Sequence, residues 1–570
     1  ETKKIDVEKA KKTAFKYVNE IAANLSYNMM RFYTVFLTWL CNRLYRKVKI
    51  YNFESIRTLT EQNEIIYLPC HRSHMDYLIL NFNLYRQGVS APHTAAGVNL
   101  NFWPIGSFLK GGGAFFIRRS IKGNYLYSEV YNEYINYLMT NRYSICFYPE
   151  GGRSRTGKLL EPKQGMLSMA LQNTSNCNKK VYIVPVYIGY DKMLEGISYL
   201  KELRGHKKKN ESLKQLVQAP KVLKKGSSYA YINFGKPFEL KTQNTDKSHL
   251  KSETKKISQE VMQRINEASV VAPVAMFTLA LFSSPHRALG EEELIHLVGQ
   301  WYDLLKLAPY SSSMVIAQED VKASLNYAEE VSAISRFSHP AGDVLHINEK
   351  DYDLLTYYKN NIIHLFVLPS LIASFFQNHD SACQEELIHS CRAFYPILKK
   401  EYFLRWSTEE IEQALRNHIR ALVAKELLEW DEEQSKLLRP SLASAQSSYF
   451  IILGNIIGEQ IKQYSLLICI LYQDSLNRSI TLEDYKKECS LLSRKLFILG
   501  SLRDSQNLND TWYTDFIKFL TLHEYIKIKD NVIYRQEKLE DLSVASINFL
   551  GADTYQSIIR TTKKTHSKDS

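Results

Sequence analysis

Between about residue 61 and residue 240, short runs rich in Ile, Val, Phe and Tyr alternate with helix-length segments. No other feature constrains the fold as strongly. The runs are Glu64–Leu68, Ala114–Ile117, Ser144–Tyr148, Tyr182–Ile188 and Tyr229–Phe234, each bounded by Gly, Pro or polar clusters, which is the signature of strands. Tyr127–Thr140 is one of the helix-length segments between them. Strands that alternate with helices predict an α/β domain whose sheet is mixed, largely parallel and flanked by helices. In such sheets, binding residues gather where strands end and helices begin.

The flanks read differently. Residues 1–60 form an N-terminal helical segment: Tyr33, Leu37, Leu40 and Leu44 recur at helical spacing, and Phe32, Phe36 and Trp39 widen the apolar face. That face is followed by Arg43, Arg46, Lys47 and Lys49. It suits a membrane interface as well as packing on the domain itself. Residues 61–245 hold the α/β domain. From 246 to 560 helical periodicity dominates, with Glu291–Leu307 and Glu409–Leu428 as amphipathic helices, and 561–570 reads as a polar, disordered tail. The apolar stretches Asn360–His379 and Ala268–Pro285 carry too many polar residues to predict a membrane span. The chain opens at Glu1 on a charged run rather than a signal-peptide core, as a trimmed chain or fragment would.

A net charge of +13 favours an anionic partner. The basic residues are spread along the chain, with short clusters at Arg46–Lys49, Lys207–Lys209 and Lys221–Lys225. The 8 cysteines form no CxxC and no disulfide framework, as expected of thiols in a reducing compartment.

Chemistry concentrates in "PCHRSHMDYLILNF", residues 69–82. His71, Ser73, His74 and Asp76 stand between the strand ending near Leu68 and a helix over Met75–Phe82. Three readings fit the spacing. Ser73 or Asp76 could cap the helix; His71, His74 and Asp76, with His93 as a distant partner, could hold a metal; or one histidine could pair with Asp76 for proton transfer. Spacing alone does not choose between His71 and His74 as the base.

Two further clusters could supply an anion site. "GGGAFFIRRSIKGN" (111–124) places Arg118, Arg119 and Lys122 after a strand, and strand alternation sends the two arginines to opposite faces. "FYPEGGRSRTGKLLEPKQG" (147–165) joins Glu150, Gly151, Gly152, Arg153, Ser154, Arg155 and Thr156 in one loop. Glycines admit close approach of backbone N–H groups to an anion, and arginines offer a planar fork to phosphate. Glu150 could accept from a substrate hydroxyl or orient an arginine. In "IVPVYIGYDK" (183–192), Pro185 interrupts a strand, which predicts an edge or a bulge.

Taken in order, "HRSHMD", "GAFFIRR", "FYPEGGRSR" and "VPVYIG" resemble the motif blocks of the large bacterial membrane-associated glycerol-3-phosphate acyltransferases. "HTAAGVNLNFWPIG", "KELRG", "YYKNNIIHLFVLPS" and "EYFLRW" extend the resemblance from about residue 20 to beyond 520. It implies an acyltransferase domain with His71 as base, Asp76 as its partner and His74 in support. It also implies Arg118, Glu150, Gly151, Gly152, Arg153 and Ser154 in or beside the glycerol-phosphate contacts, with Pro185 in the fourth block. Arg119, Lys122 and Arg155 join them on charge alone. Bacterial members carry a longer region before the first block; here 70 residues precede His71.

The implied reaction moves a fatty acyl group from acyl-CoA or acyl carrier protein to the sn-1 hydroxyl of glycerol 3-phosphate, with no cofactor and no metal. The implied setting is the cytoplasmic side of the inner membrane, as a peripheral protein on anionic lipid, without nucleic acid. Acylation of dihydroxyacetone phosphate or lysophosphatidate uses the same motifs. A metal-dependent hydrolase and a lipid-binding scaffold are the rivals from other classes.

Overall fold

The computed structural model describes residues 7–118, 123–196, 228–242, 246–477, 480–498 and 510–566. Arg119, Lys122 and the basic clusters 207–209 and 221–225 lie outside them. The chain divides into two units. One comprises residues 1–278, 310–335 and 348–362; the other comprises 279–309, 336–347 and 363–570.

The first unit opens with helices α1 (Val7–Ile21) and α2 (Tyr27–Leu44) and strand β1 (Tyr45–Tyr51). Then follow α3 (Glu54–Gln62), β2 (Glu64–Pro69), α4 (Met75–Arg86), β3 (His93–Gly97), α5 (Ile105–Gly111) and β4 (Ala114–Ile117). After these come α6 (Tyr125–Thr140), β5 (Ile145–Cys146), α7 (Gly165–Asn173), β6 (Val181–Tyr190), β7 (Ser228–Phe234) and β8 (Phe238–Leu240). The eight strands form one sheet in the order β1-β7-β6-β2-β5-β3-β4, with β8 also on β6. The ladders of β6 with β7 and with β8 are antiparallel and the rest are parallel. The mixed, largely parallel sheet expected from the sequence is therefore present. All six residues of β2 are buried, as befits a central strand covered on both faces.

Three local expectations change. The N-terminal segment expected to be helical to residue 60 gives way at Tyr45 to β1, an edge strand parallel to β7. Its basic residues Arg46, Lys47 and Lys49 sit on that edge, where charge discourages pairing with another chain. Pro185 does not mark an edge: β6 pairs with β2 on one side, Leu68 opposite Pro185, and with two strands in turn on the other. Pro185 stands where the partner changes from β8 to β7, so its missing N–H breaks no antiparallel bond, and its carbonyl accepts from Gly235 N at 2.8 Å. The C-terminal tail is helical as far as His566, the end of the helix Ala552–His566.

Residues beyond 245 also return to the sheet. The helix Lys247–Glu267 packs against β6 and α7, and the helices Val321–Val331 and Tyr352–Asn360 belong to the same unit. The sequence reading groups them with the helical region because their periodicity shows helix but not which partner they cover.

The second unit is mainly helical. Its 33-residue helix Ala445–Asn477 packs on the fully buried helix Val367–Phe375 and on the helix Lys538–Leu550. The hydroxyls of Ser370 and Ser374 donate to the Gly454 carbonyl at 3.1 and 2.8 Å, and a Cβ on Gly454 would lie 3.2 Å from the Ala373 backbone. Small residues on both helices thus permit the approach. Among the described residues, no helix is long and apolar enough to cross a membrane.

Candidate active site

Registration of the sheet brings the sequence motifs to one level. Tyr67 on β2 is in register with Cys146 on β5 and Val184 on β6; Cys146 is opposite Thr94, and Thr94 opposite Ala114 on β4. Four residues beyond that level stand His71, Glu150 and Arg118; six beyond stands Tyr190. Because these strands are parallel, all four positions emerge at the same end of the sheet. β4 lies three strands from β2, so Arg118 and His71 leave the sheet roughly 14 Å apart.

His71 and Asp76 are in contact. His71 Nδ1 lies 2.9 Å from Asp76 Oδ2, where it can donate to the carboxylate and leave Nε2 as the other proton-exchange atom. The imidazole stacks on Tyr148 with centroids 4.0 Å apart. Its side chain is 20% exposed while that of Asp76 is fully buried, so the imidazole can meet a ligand while the carboxylate stays dry. Asp76 Oδ2 also accepts from the backbone amides of Arg72 (2.6 Å) and Ser73 (2.9 Å). The Asp76 carboxylate thus closes the turn before the helix and orients the ring; among the described residues it caps no helical amide, and the first of these, Met75 N, donates to Ser73 Oγ at 3.1 Å. Its other oxygen, Oδ1, accepts from the Tyr190 hydroxyl at 2.6 Å. Among the described residues, no three His, Cys, Asp or Glu side chains are grouped to hold a metal ion. His93 is buried in β3 against Tyr143, and burial pushes its imidazole down to about 4.

The 150s loop is tied to that turn. Glu150, 2% exposed, accepts from His71 N at 2.7 Å and Leu160 N at 2.9 Å. Burial pushes the Glu150 carboxyl up from its ordinary value, while those amides and the Arg72 guanidinium pull it down. Ser154 N donates to the His71 carbonyl at 2.8 Å. The Ser154 hydroxyl donates to Lys158 O and accepts from Gly157 N. Arg153 reaches Glu195 at 3.8 Å. Glu195 in turn accepts from the Ser73 hydroxyl (2.9 and 3.0 Å) and His74 N (2.9 Å). Burial pushes the Glu195 carboxyl up; His74 N–H and Arg153 pull it down. Gly151 sits at φ +63°, where glycine is favoured, and a Cβ on Gly152 would meet open space. Arg155 is half-buried on the same loop.

Arg118 is engaged elsewhere. Its fork meets Glu20 of α1, and its guanidinium lies over the rings of Tyr17 and Tyr127 at 4.9 and 4.5 Å. Pro185 lies within the sheet, beside Leu68, rather than in the loops. The structure therefore gathers His71, Asp76, Glu150, Arg153 and Ser154 in one bonded network, with Arg118 at the same sheet end and Pro185 below it.

Sequence reasoning did not single out Tyr190, Glu195 or Arg72. Arg72, buried, donates to Gly157 O at 2.6 Å and to Asn361 Oδ1, and lies over Tyr187 and Tyr357. A further buried carboxylate, Asp191, accepts from the hydroxyls of Tyr231 (2.5 Å) and Tyr327 (2.7 Å), and burial pushes it up to about 6. Only Tyr190 carried a usable signal: it follows the fourth motif block directly, at the same sheet end as the other strand-end residues.

Residues 199–529 match the family model described as the glycerol-3-phosphate acyltransferase C-terminal region, and residues 47–189 match an acyltransferase model. The chain is 37% identical over 537 residues to a glycerol-3-phosphate acyltransferase of Pseudomonas aeruginosa, covering 91% of this chain and 64% of that protein. It is 35% identical over 543 residues to the Pseudomonas fluorescens protein of that name, covering 92% and 64%. The chain thus spans under two thirds of the length of these relatives. A 1-acyl-sn-glycerophosphate acyltransferase structure from Thermotoga maritima aligns with 46% of this chain and 85% of that one at 17% identity, with a TM-score of 0.24, too low to support a structural argument.

Proposed function

The chain belongs to the glycerol-3-phosphate acyltransferase family, and on that premise we propose that it acylates the sn-1 hydroxyl of glycerol 3-phosphate from an acyl-CoA or acyl carrier protein thioester. The observation that carries the reading is the His71–Asp76 pair, 2.9 Å apart, at a strand end shared with Arg118 and the Arg153 loop.

In this reading His71 Nε2 takes the proton of the C1 hydroxyl as that oxygen attacks the thioester carbonyl. The tetrahedral oxyanion collapses, the C–S bond breaks, and the leaving thiolate receives the proton from His71. The substrate supplies the nucleophile, so no covalent acyl-enzyme forms, and proton transfer by imidazole closes the balance without a resident cofactor. Asp76 stabilises the transient imidazolium. Arg118, Arg153 and Arg155 and the amide of Gly152 receive the phosphate, beside the turn that Gly151 N closes on the Tyr148 carbonyl at 3.0 Å. Glu150 and Ser154, whose polar atoms are bonded to the protein, shape that loop. Pro185 keeps the fourth block in register beneath it.

The reading also places the protein at the cytoplasmic face of the inner membrane, as a peripheral protein. Phe32, Val35 and Trp39 on α2 are 52%, 73% and 57% exposed, an apolar face that suits a lipid interface. The +13 net charge suits anionic lipid.

The test is turnover by purified protein, with glycerol 3-phosphate and each thioester donor in turn. Formation of 1-acylglycerol 3-phosphate with release of thiol is expected. Acylation of lysophosphatidate or dihydroxyacetone phosphate in its place would reassign the acceptor, and no turnover with any acceptor would reject the reading.

A further inference from the structure

We propose that Tyr190 is a positioning residue for acyl transfer: its phenol fixes the Asp76 carboxylate and sets how strongly that carboxylate draws the proton shared with His71. The inference rests on the reading of His71 as the base and goes beyond it, because the residue lies on a different strand from the histidine–aspartate turn.

The geometry is explicit. Asp76 Oδ2 takes the His71 imidazole and two backbone amides, whereas Oδ1 has the Tyr190 hydroxyl at 2.6 Å as its sole partner among the described residues. Asp76 is fully buried, so water does not replace a lost donor. The hydroxyl is held at the end of β6, the strand paired to β2 through Pro69, so its position relative to the catalytic turn is set by the sheet and not by a loop. Burial and Asp76 itself keep the phenol far above its ordinary range, so it remains a donor. A phenol donating to one oxygen withdraws negative charge from the other. Removing it makes Asp76 a stronger acceptor, favours the imidazolium, and keeps the base protonated to higher pH.

The thiols and phenols around Asp76 are held above the working range. Burial pushes Cys70 on β2 and Cys146 on β5 up to about 11 and about 12, and raises Tyr148 and Tyr45 well above their ordinary range. Glu195 and Glu150 are the other acids near the pair; burial raises both, and their bonds to Ser73 and His74 and to His71 N and Leu160 N do not involve Tyr190. The Tyr45 ring lies tilted against the Tyr190 ring, with centroids 5.9 Å apart, while its own hydroxyl has no partner among the described residues, which makes it the matched control.

The experiment measures kcat/KM against pH for wild type, Tyr190→Phe and Tyr45→Phe, with glycerol 3-phosphate and a long-chain acyl-CoA. Tyr190→Phe should move the acid limb up by about half a unit to one unit, the effect of one hydrogen bond. Its kcat should fall near neutral pH while both KM values stay within about twofold. Tyr45→Phe should superimpose on wild type. Replacing Tyr190 with 3-fluorotyrosine, a stronger donor, should move the limb the other way, and serves if the phenylalanine variant does not fold. A protein that loses turnover on His71→Ala but keeps an unmoved profile without the Tyr190 hydroxyl overturns the inference alone; so does an equal shift in Tyr45→Phe. Full turnover by His71→Ala overturns both the inference and the reading beneath it.

Discussion

Arg118 and Glu20 are joined fork to fork, with Arg118 Nε donating to Oε1 and Nη2 to Oε2, each at 2.7 Å. A carboxylate thus holds the two-pronged seat that the proposed function gives to phosphate. The pair is partly exposed, with side chains 35% and 24% accessible, so its net strength is up to about 1 kcal/mol. Glu20→Gln should therefore lower the KM for glycerol 3-phosphate by up to about fivefold, with the acyl-CoA KM unchanged. A higher KM would mean that Glu20 holds Arg118 in its working position.

Glu150 gives both oxygens to backbone amides, those of His71 and Leu160. Glu150→Gln places an amide donor against one of those donors, so it should lower stability by about 1–3 kcal/mol. It should lower kcat more than either KM, because the His71 backbone is displaced. Thermal unfolding and steady-state kinetics measure both. An unchanged kcat with a raised glycerol 3-phosphate KM would instead put Glu150 on the substrate.

Arg72 bridges Gly157 and Asn361 through one nitrogen while its guanidinium lies over Tyr187 and Tyr357. Lysine cannot reproduce a planar, stacked fork. Arg72→Lys should therefore cost about 2–4 kcal/mol of stability, read as a lower urea midpoint with an unchanged slope. A midpoint equal to wild type would show that the stacking and the bridge contribute little.

Asp191 gives the stability a pH dependence of known sign. Burial pushes its carboxyl from the ordinary 3.8 up to about 6, so the folded protein binds that proton more tightly than the unfolded chain. Its contribution is fully present below pH 3.8 and is lost as pH rises through about 6. The loss is on the order of 3 kcal/mol. Asp191→Asn keeps an acceptor for the Tyr231 and Tyr327 hydroxyls and should flatten the fall in thermal stability between about pH 4 and pH 8. The same fall in the variant would assign the dependence to other groups.

What could be read from the sequence follows from how local each interaction is. β2 and β4 were legible because apolar runs end at Pro69 and begin after glycines. β5 shortens to Ile145–Cys146, though the apolar run around it is longer. β3, "HTAAG", carries too little β-branched or aromatic character to be seen, and is a strand because β4 and β5 pair with it. β1 was hidden by the helix that precedes it. The histidine and aspartate were visible as a motif five residues apart, but the partners that fix them are distant: Tyr190 is 114 residues from Asp76, and Glu195 122 from Ser73. No periodicity or local spacing encodes contacts of that range; the register of β6 against β2 creates them.

The account turns on His71 as the base, and the direct test is kcat for purified His71→Ala with glycerol 3-phosphate and acyl-CoA. A loss of about 10²–10⁴-fold is expected, with the unfolding midpoint and the glycerol 3-phosphate affinity near wild type. Turnover within a few-fold of wild type in a folded variant would contradict the account.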